Sequence, residues 1–385
     1  MAKDVAALAD FLSAEDLARI ARPTGEAAGL PAAAYVDPSF AKLENERLFA
    51  RTWMCAGYGR EIPAPGDALP LVIAGAPIFV ARDRGDTVNA FHNVCAHRGN
   101  LVLREPQRGS PTLRCRYHGW TYDLAGKLLA TPHWGGYNEG RLAGFDRACH
   151  GLKPVRVVAW HDWLFVNIDG KAPPFEEYIG PFVAHLEEYD LDRLVHCQTV
   201  PVDIKANWKL IEENFLEVLH LPNVHAGLNS VAPFKDHAMV SDGPCLGTII
   251  EVGLPRAWSE TSLPRFARLP KNQRTAKNLA LFPNFKLVIG PDHCASMVEF
   301  PLDAGRSHQR WDFYFVGREA LAPRYAKARA AIIAFFSEVN REDVSILEGM
   351  QIARGSPAAD GGVFSAIWEP VAHDFQKLVV AALAP

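Results

Sequence analysis

Residues 95 to 120 constrain this chain more than any other stretch. They contain Cys95-Ala-His97-Arg-Gly99 and Cys115-Arg-Tyr117-His118-Gly119-Trp120, with seventeen residues between His97 and Cys115. Two thiols and two imidazoles on two short loops call for a metal. The glycines close behind each pair, Gly99 and Gly119, let the backbone fold tightly round a buried object. A zinc finger usually pairs Cys with Cys and His with His across its two ends. Here each loop supplies one of each, which suits a cluster of two unlike irons, two Cys on one and two His on the other. Neutral imidazoles in place of anionic thiolates raise the potential of such a centre, so it accepts an electron from an ordinary ferredoxin or flavin. The competing readings are a structural zinc site and unliganded Cys and His in a core.

In these two runs, CxHRG and CxxHGW, the chain resembles the Rieske family letter for letter. The resemblance implies a 2Fe-2S cluster held by Cys95, His97, Cys115 and His118, with Tyr117 and Trp120 shielding it. Such a domain needs roughly a hundred residues, so a chain of 385 must hold something else besides.

Composition narrows what that is. With 49% hydrophobic and 22% charged residues, the chain buries substantial cores. Forty basic against forty-four acidic side chains, without a block of either sign, argue against nucleic acid or an anionic membrane as partner. Lys3, Asp4, Asp10 and Glu15 interrupt the N-terminal apolar residues, so neither an export signal nor a transmembrane span is expected. Seven cysteines, five of them scattered without framework spacing, fit a reducing cytoplasm. No internal repeat is evident.

In chain order, residues 5–22 read as a peripheral helix ending near Pro23, and 34–53 as a second helical stretch. From Met54 to Asn167 short β-type runs alternate with glycine turns: Leu71–Ile73, Ile78–Val80, Thr87–Phe91, Leu128–Leu129 and Leu164–Val166. This reads as a small antiparallel β domain with the metal loops at its hairpin tips. Asp169–Pro181 reads as a linker. A helix is expected from Asn207 to Leu221, a less readable region from Pro222 to Lys277, then three strands and a long helix from Ala322 to Ile352. In the last strand, Gln309, Trp311, Phe313 and Phe315 take one face, and Arg310, Asp312 and Tyr314 the other.

The Asn207–Leu221 helix carries a second cluster of donors. At about 100 degrees per residue, Glu213, Glu217 and His220 share a face, which alone reads as a solvated surface. Pro222 cannot sit inside that helix, so the chain turns, and His225 can swing back towards His220. The long helix adds Asp343, centred on a stripe of Ile332, Phe336, Val339, Ile346, Leu347 and Met350. A carboxylate there needs a strong partner. A buried Arg is one solution; two His and one carboxylate on a metal, the facial triad of non-haem Fe(II), is the other. Glu342 and Glu348 lie at or beyond the stripe's edge, where they reach water.

Taken together, the two donor sets make the whole chain resemble the α subunit of the Rieske non-haem iron oxygenases. That resemblance implies an α+β protein with three segments. These are an N-terminal helical part (1–53) packed on the catalytic domain, an antiparallel β Rieske domain (54–168), and a helix-grip catalytic domain (169–385) with an antiparallel sheet and a long C-terminal helix. It implies His220, His225 and Asp343 as ligands of a mononuclear iron, supported by Gln351 eight residues beyond Asp343. The run before the first His ligand, Asn207-Trp208 and Glu213-Asn214, also fits the family, and Asn214 joins the catalytic set. Members of the family assemble as trimers in which electrons cross between subunits through a carboxylate, here Glu217, whose cluster-side partner would be His118. Most members carry Asp at that position; Glu resembles the branch that oxidises quaternary ammonium compounds such as carnitine, or else compensates a different subunit spacing.

The activity implied is O2-dependent hydroxylation or demethylation of a small organic molecule, with aromatic hydroxylation or cis-dihydroxylation as the alternative. No glycine-rich dinucleotide loop follows a strand, so a separate flavin- or ferredoxin-type reductase is required. Trp258, Phe282, Phe285, Trp311, Phe313 and Phe364 are candidate pocket walls, two or three of them touching substrate. A trimethylammonium would be held by aromatic faces, an aromatic acid by Arg256 or Arg265. An electron carrier with an inert second domain leaves Asp343 unexplained, and a zinc-stabilised binding module predicts a colourless protein.

Overall fold

The computed structural model describes residues 7–251, 263–270 and 274–384. The chain forms two compact units: Phe49–Phe175, and Met1–Leu48 together with Glu176–Pro385. Their limits fall at 48/49 and 175/176, a few residues from the 53/54 and 168/169 read off the sequence.

The Phe49–Phe175 unit is built of short antiparallel strands. They are β1 (Met54–Tyr58), β2 (Ala68–Ile73), β3 (Ala76–Arg82), β4 (Val88–His92), β5 (Leu113–Arg114), β6 (Thr121–Tyr122), β7 (Leu128–Ala130), β8 (Pro154–Trp160) and β9 (Trp163–Asn167). Six pair in the order β1-β9-β8-β4-β3-β2, and β5, β6 and β7 make a second, three-stranded sheet. The β2–β3 hairpin turns on Ala74 and Gly75, both at positive φ, as a two-residue turn between twisted strands demands. Phe79, Phe91, Leu113, Trp120 and Tyr122 share this unit's core.

Only one metal loop is a hairpin tip. Residues 115–120 connect the paired β5 and β6, whereas residues 95–99 follow β4 on the way from the larger sheet to the smaller. The expectation of two tips fails because β4 pairs with β3 and β8, leaving no neighbouring strand into which that loop could return.

The other unit opens with short helices. The first expected helix is interrupted before α1 (Ala14–Ile20), because Ser13 accepts from Asp16 N (3.1 Å) while Ser13 N donates to Asp16 Oδ2 (2.9 Å), a reciprocal cap. The second is split into α2 (Ala33–Val36) and α3 (Pro38–Leu43) by Asp37, whose carboxylate takes Ser39 N at 2.7 Å. The stretch read as a linker contains α4 (Phe175–Ala184): Phe175, Ile179 and Phe182 are buried at helical spacing, and that burial outweighs Pro181.

Seven antiparallel strands follow: β10 (Leu194–Ile204), β11 (His237–Asp242), β12 (Cys245–Glu251), β13 (Thr275–Leu281), β14 (Phe285–Ile289), β15 (His293–Asp303) and β16 (Arg306–Val316), ordered β10-β16-β15-β14-β13-β12-β11. After Lys277 the chain thus completes four strands where three were expected. The extra one, β14, has all five residues buried, so no alternation marks it in the sequence. Between β10 and β11 lie α5 (Trp208–Leu216), α6 (Leu221–Val224) and α7 (Ala226–Val231); after β16 come α8 (Ala326–Arg354) and α9 (Pro370–Leu383). One face of the sheet, through Val288, Ala295, Met297, Trp311 and Phe313, packs with Ile332, Ile333 and Phe336 of α8. Each such side chain contributes about 1.5–3 kcal/mol when fully buried. A sheet closed on a long helix fixes the position of that helix, and with it Asp343.

Candidate metal centres

The two loops of the smaller unit repeat one backbone pattern. Cys95 N donates to Asn100 O (2.8 Å) and Gly99 N to Cys95 O (3.0 Å); Cys115 N donates to Trp120 O (2.9 Å) and Gly119 N to Cys115 O (3.0 Å). Both glycines have φ of 71°, a left-handed turn that a Cβ would strain. The result is that Cys95 and Cys115 are buried while the rings of His97 and His118 meet at 4.4 Å. His97 Nδ1 is buried without a hydrogen-bond partner. A buried ring nitrogen left bare is what a coordination position looks like before the metal arrives, and together with two thiols it fits a Cys2His2 iron–sulfur cluster. Trp120 is buried and stacks on His97 at 4.9 Å and 10°. Tyr117 instead is 56% exposed, its ring 3.7 Å from that of His118. The buried cover of His97 comes from Trp120, joined by Trp134 at 5.3 Å, while Tyr117 lies over His118 from the exposed side. Burial raises the Tyr122 phenol well above its ordinary value. It therefore stays protonated, able to donate to Cys95 Sγ, 3.2 Å away, when that sulfur is a thiolate.

In the larger unit His220, His225 and Asp343 present one donor atom each, all within 4.8 Å of one another. The geometry differs from the sequence reading. Helix α5 stops at Leu216, and Glu217 is extended (φ −119°, ψ 159°). The shared face of Glu213, Glu217 and His220 does not exist; Glu213 turns to Tyr35 (2.7 Å) and Gln376 (3.0 Å). The break has a local cause. Glu217 folds its carboxylate over the following turn, accepting from Leu219 N and from His220 N (3.2 Å), while Val218 is buried. His220 then heads α6, with Pro222 in the first turn where no N–H is needed. His225 closes that turn through its N–H to Leu221 O (2.9 Å).

Each imidazole is held at both ends. His225 Nε2 lies 2.8 Å and His220 Nε2 3.7 Å from Asp343 Oδ1; His220 Nδ1 meets Glu217 Oε1, and His225 Nδ1 meets Glu342 Oε2 at 2.7 Å. Carboxylates on the outer nitrogens leave the Nε2 atoms for a metal. Burial works against a charged His225, but Asp343 and Glu342 outweigh it and raise its pKa. The site thus attracts positive charge, which a divalent iron would supply. Asp343 finds its partners in these two histidines, not in an arginine. Sequence reasoning sent Glu342 to water; its adjacency to Asp343 was the only signal. The stripe around Asp343 also fades, with Ile346 exposed.

The helix carrying Asp343 is tied to the start of α5. Gln351 Oε1 accepts from Asn207 N (2.8 Å) and Gln351 Nε2 donates to Tyr35 O (3.1 Å), while Asn207 Oδ1 caps the helix through Lys209 N (3.0 Å). These bonds set the two ligand-bearing segments against each other.

His220, His225, Asp343, Glu217 and Asn214 line a cavity of about 140 Å³. Of the aromatic residues expected around it, Trp311 is there; Phe215, Phe335 and Phe336 complete the aromatic wall. Phe285 packs against Phe182, Phe364 stacks with His373, and Phe282 and Phe313 are core residues, so none of these four lines it. Trp258 and Arg256 lie outside the described residues. Arg265 is absent from the lining, and no other arginine lines it among the described residues.

A fold and two donor sets of this kind define an iron–sulfur and mononuclear iron protein, and comparison with known sequences gives the family. Residues 52–142 match the Rieske [2Fe-2S] domain and residues 191–384 the ring hydroxylating alpha subunit catalytic domain. The chain belongs to the Rieske ring-hydroxylating oxygenase α-subunit family, with a cluster-bearing domain and a catalytic domain that binds mononuclear non-haem iron. It is 36% identical over 208 residues to the glycine betaine monooxygenase oxygenase subunit of Chromohalobacter salexigens, covering 54% of this chain and 45% of that protein. The chain thus matches under half the length of that relative. It is 27% identical to the carnitine monooxygenase oxygenase subunit of Escherichia coli K12, over 85% of this chain and 84% of that one. Among solved structures, a quaternary ammonium Rieske monooxygenase described for carnitine oxidation and inter-subunit electron transfer shares the fold. Its TM-score is 0.80 at 22% identity, over 94% of this chain and 97% of that one.

Proposed function

We propose that the chain is the terminal oxygenase component of a Rieske system that oxidises a quaternary ammonium compound at a carbon beside nitrogen. The observation that carries this is the cavity: His220, His225 and Asp343 open into a space walled by the aromatic faces of Trp311, Phe215, Phe335 and Phe336, and the one Lys or Arg in its described lining, Lys286, is already paired with Glu212 and Glu299. Cys95, His97, Cys115 and His118 would hold the cluster, and His220, His225 and Asp343 the iron. When bound, these groups supply stepwise reduction of O2. The protein's own part is placement. Glu217 fixes His220 through Nδ1 and Glu342 fixes His225 in the same way. The apolar wall keeps water from the reacting carbon, and Asn214 lies beside Glu217 on the same lining.

Electrons come from a separate flavin- or ferredoxin-type reductase. The working unit is a homotrimer in which Glu217 links His220 to the neighbouring subunit's His118; the relative described for inter-subunit electron transfer supports this reading. None of the seven cysteines is joined in a disulfide, which suits a reducing, cytoplasmic setting. No helix among the described residues is long and apolar enough to cross a membrane.

The test is a substrate panel with a surrogate reductase, comparing glycine betaine, carnitine and choline with aromatic acids and measuring product per O2 consumed. Coupled oxidation of a trimethylammonium compound is expected. Turnover confined to the aromatic acids overturns the assignment.

A further inference from the structure

The same cavity is lined by Lys286, Gln309 and Trp311, and these belong to a buried chain of polar groups that the metal centre does not use. Lys286 Nζ lies 2.9 Å from Glu212 Oε1 and 3.0 Å from Glu299 Oε1. Gln309 Nε2 donates to that same Glu299 oxygen, and the Trp311 indole N–H donates to Gln309 Oε1. Glu212, Lys286 and Glu299 are 2%, 1% and 0% exposed in their side chains. Two carboxylates therefore face one ammonium, and the second oxygen of Glu299 is buried without a hydrogen-bond partner.

A buried carboxylate that is only half satisfied is expensive, so its position calls for an account. Burial opposes charge on Lys286, but Glu212 and Glu299 raise its pKa, so the ammonium stays. Burial pushes Glu212 up to about 7, against the pull of Lys286; above that pH the group carries one excess negative charge. In a region of low dielectric such a charge polarises the hydrogen bonds attached to it. The polarisation runs from Glu299 through the Gln309 amide to the indole N–H, and withdrawing that proton towards the amide leaves the ring face of Trp311 richer in electrons. Trp is the strongest of the aromatic faces for a cation, and here it shares the cavity with the iron ligands.

We infer that Glu299, acting through Gln309 on Trp311, is a positioning residue that makes this wall select a cationic headgroup over a neutral one of the same shape. The inference rests on the quaternary ammonium reading and adds to it the residues that read the charge.

The experiment measures binding by calorimetry, without O2 or reductase, in the iron-loaded holoenzyme at about pH 8. The probes are choline and its neutral isostere, in which a tert-butyl carbon replaces the nitrogen. Wild type is expected to bind choline at least about tenfold more tightly. Glu299→Gln, with both metal centres retained, is expected to lower that ratio by about tenfold while leaving the isostere's affinity unchanged. Equal weakening of both probes marks a merely structural role and overturns the inference, as does an unchanged ratio. Wild type with no preference for choline overturns the quaternary ammonium reading itself, a result visible before any variant is made. Should Glu299→Gln fail to load its metals, Trp311→Phe keeps a ring and removes the N–H. Its ratio is expected to fall several-fold, and an undiminished ratio is again fatal.

Discussion

The two donor sets solve opposite charge problems. Around His97, Cys115 and His118, the open groove is lined by Arg114, Arg116, Tyr117, Trp120 and Trp134 and, among the described residues, by no carboxylate. Two thiolates bring their own negative charge, so the surroundings are aromatic or basic. Around His220, His225 and Asp343, three carboxylates gather instead, two of them, Glu217 and Glu342, on the outer nitrogens of the imidazoles. Neutral imidazoles hold a hard cation only when acids nearby make the site negative and fix the rings. The first centre therefore has no acid beside it to lose, whereas the second is built from acids.

That contrast breaks most visibly at Asp343. Asp343→Ala is expected to abolish turnover and to lower iron from about three to about two atoms per chain, with the visible spectrum of the cluster unchanged. Iron content that stays at wild type would place the third atom elsewhere. Glu217→Ala comes next. With iron supplied in excess both centres should be loaded, yet NADH-driven turnover through the reductase should fall by about a hundredfold. Near-normal turnover would remove the carboxylate from the electron path and leave it as the cap of the turn at Leu219 and His220.

The same contrast explains what the sequence disclosed. The proposed cluster ligands lie within 24 residues on two loops that repeat one motif, so local spacing alone names them. The second centre joins segments 118 residues apart, and only its members were legible. The arrangement was not, because a helix drawn from Asn207 to Leu221 assumes that periodicity continues. It stops at Leu216 because Glu217 prefers to cap the next turn with its own carboxylate, a tertiary choice made once Val218 is buried. Glu342 was misplaced for a related reason, since helical angle says which way a side chain leaves the helix but not what waits there. Similarly, β14 and its Lys286 are buried on both faces, so their strand carries no alternation and their ion pairs no sequence mark.

Glu342 offers a finer cut. Glu342→Gln keeps the length of the side chain and removes its charge from His225 Nδ1. Iron affinity of the second centre is expected to drop by about 10–100-fold, measured by chelator competition, with the cluster and thermal unfolding unaffected. Unaltered affinity would mean that Asp343 alone orients His225, and the idea of a matched carboxylate on each imidazole would fall.

The smallest effect belongs to the cluster side, where the tuning group is neutral. Tyr122 sits 3.2 Å from Cys95 Sγ and also accepts from Ala96 N (3.1 Å). Its raised pKa keeps the phenol protonated, so it donates to the ligating sulfur and favours the reduced, more negative cluster. Tyr122→Phe removes that donor while keeping a ring in the core shared with Phe79 and Trp120. The potential is expected to move downward, on the order of 50 mV, as a hydrogen bond worth about 1 kcal/mol more to the reduced state would require. Redox titration of the cluster reads this directly, and iron affinity of the second centre serves as the control. A potential that stays put would show the sulfur indifferent to Tyr122, and would leave the aromatic cover of Trp120 and Trp134 as what this loop contributes to the cluster's environment.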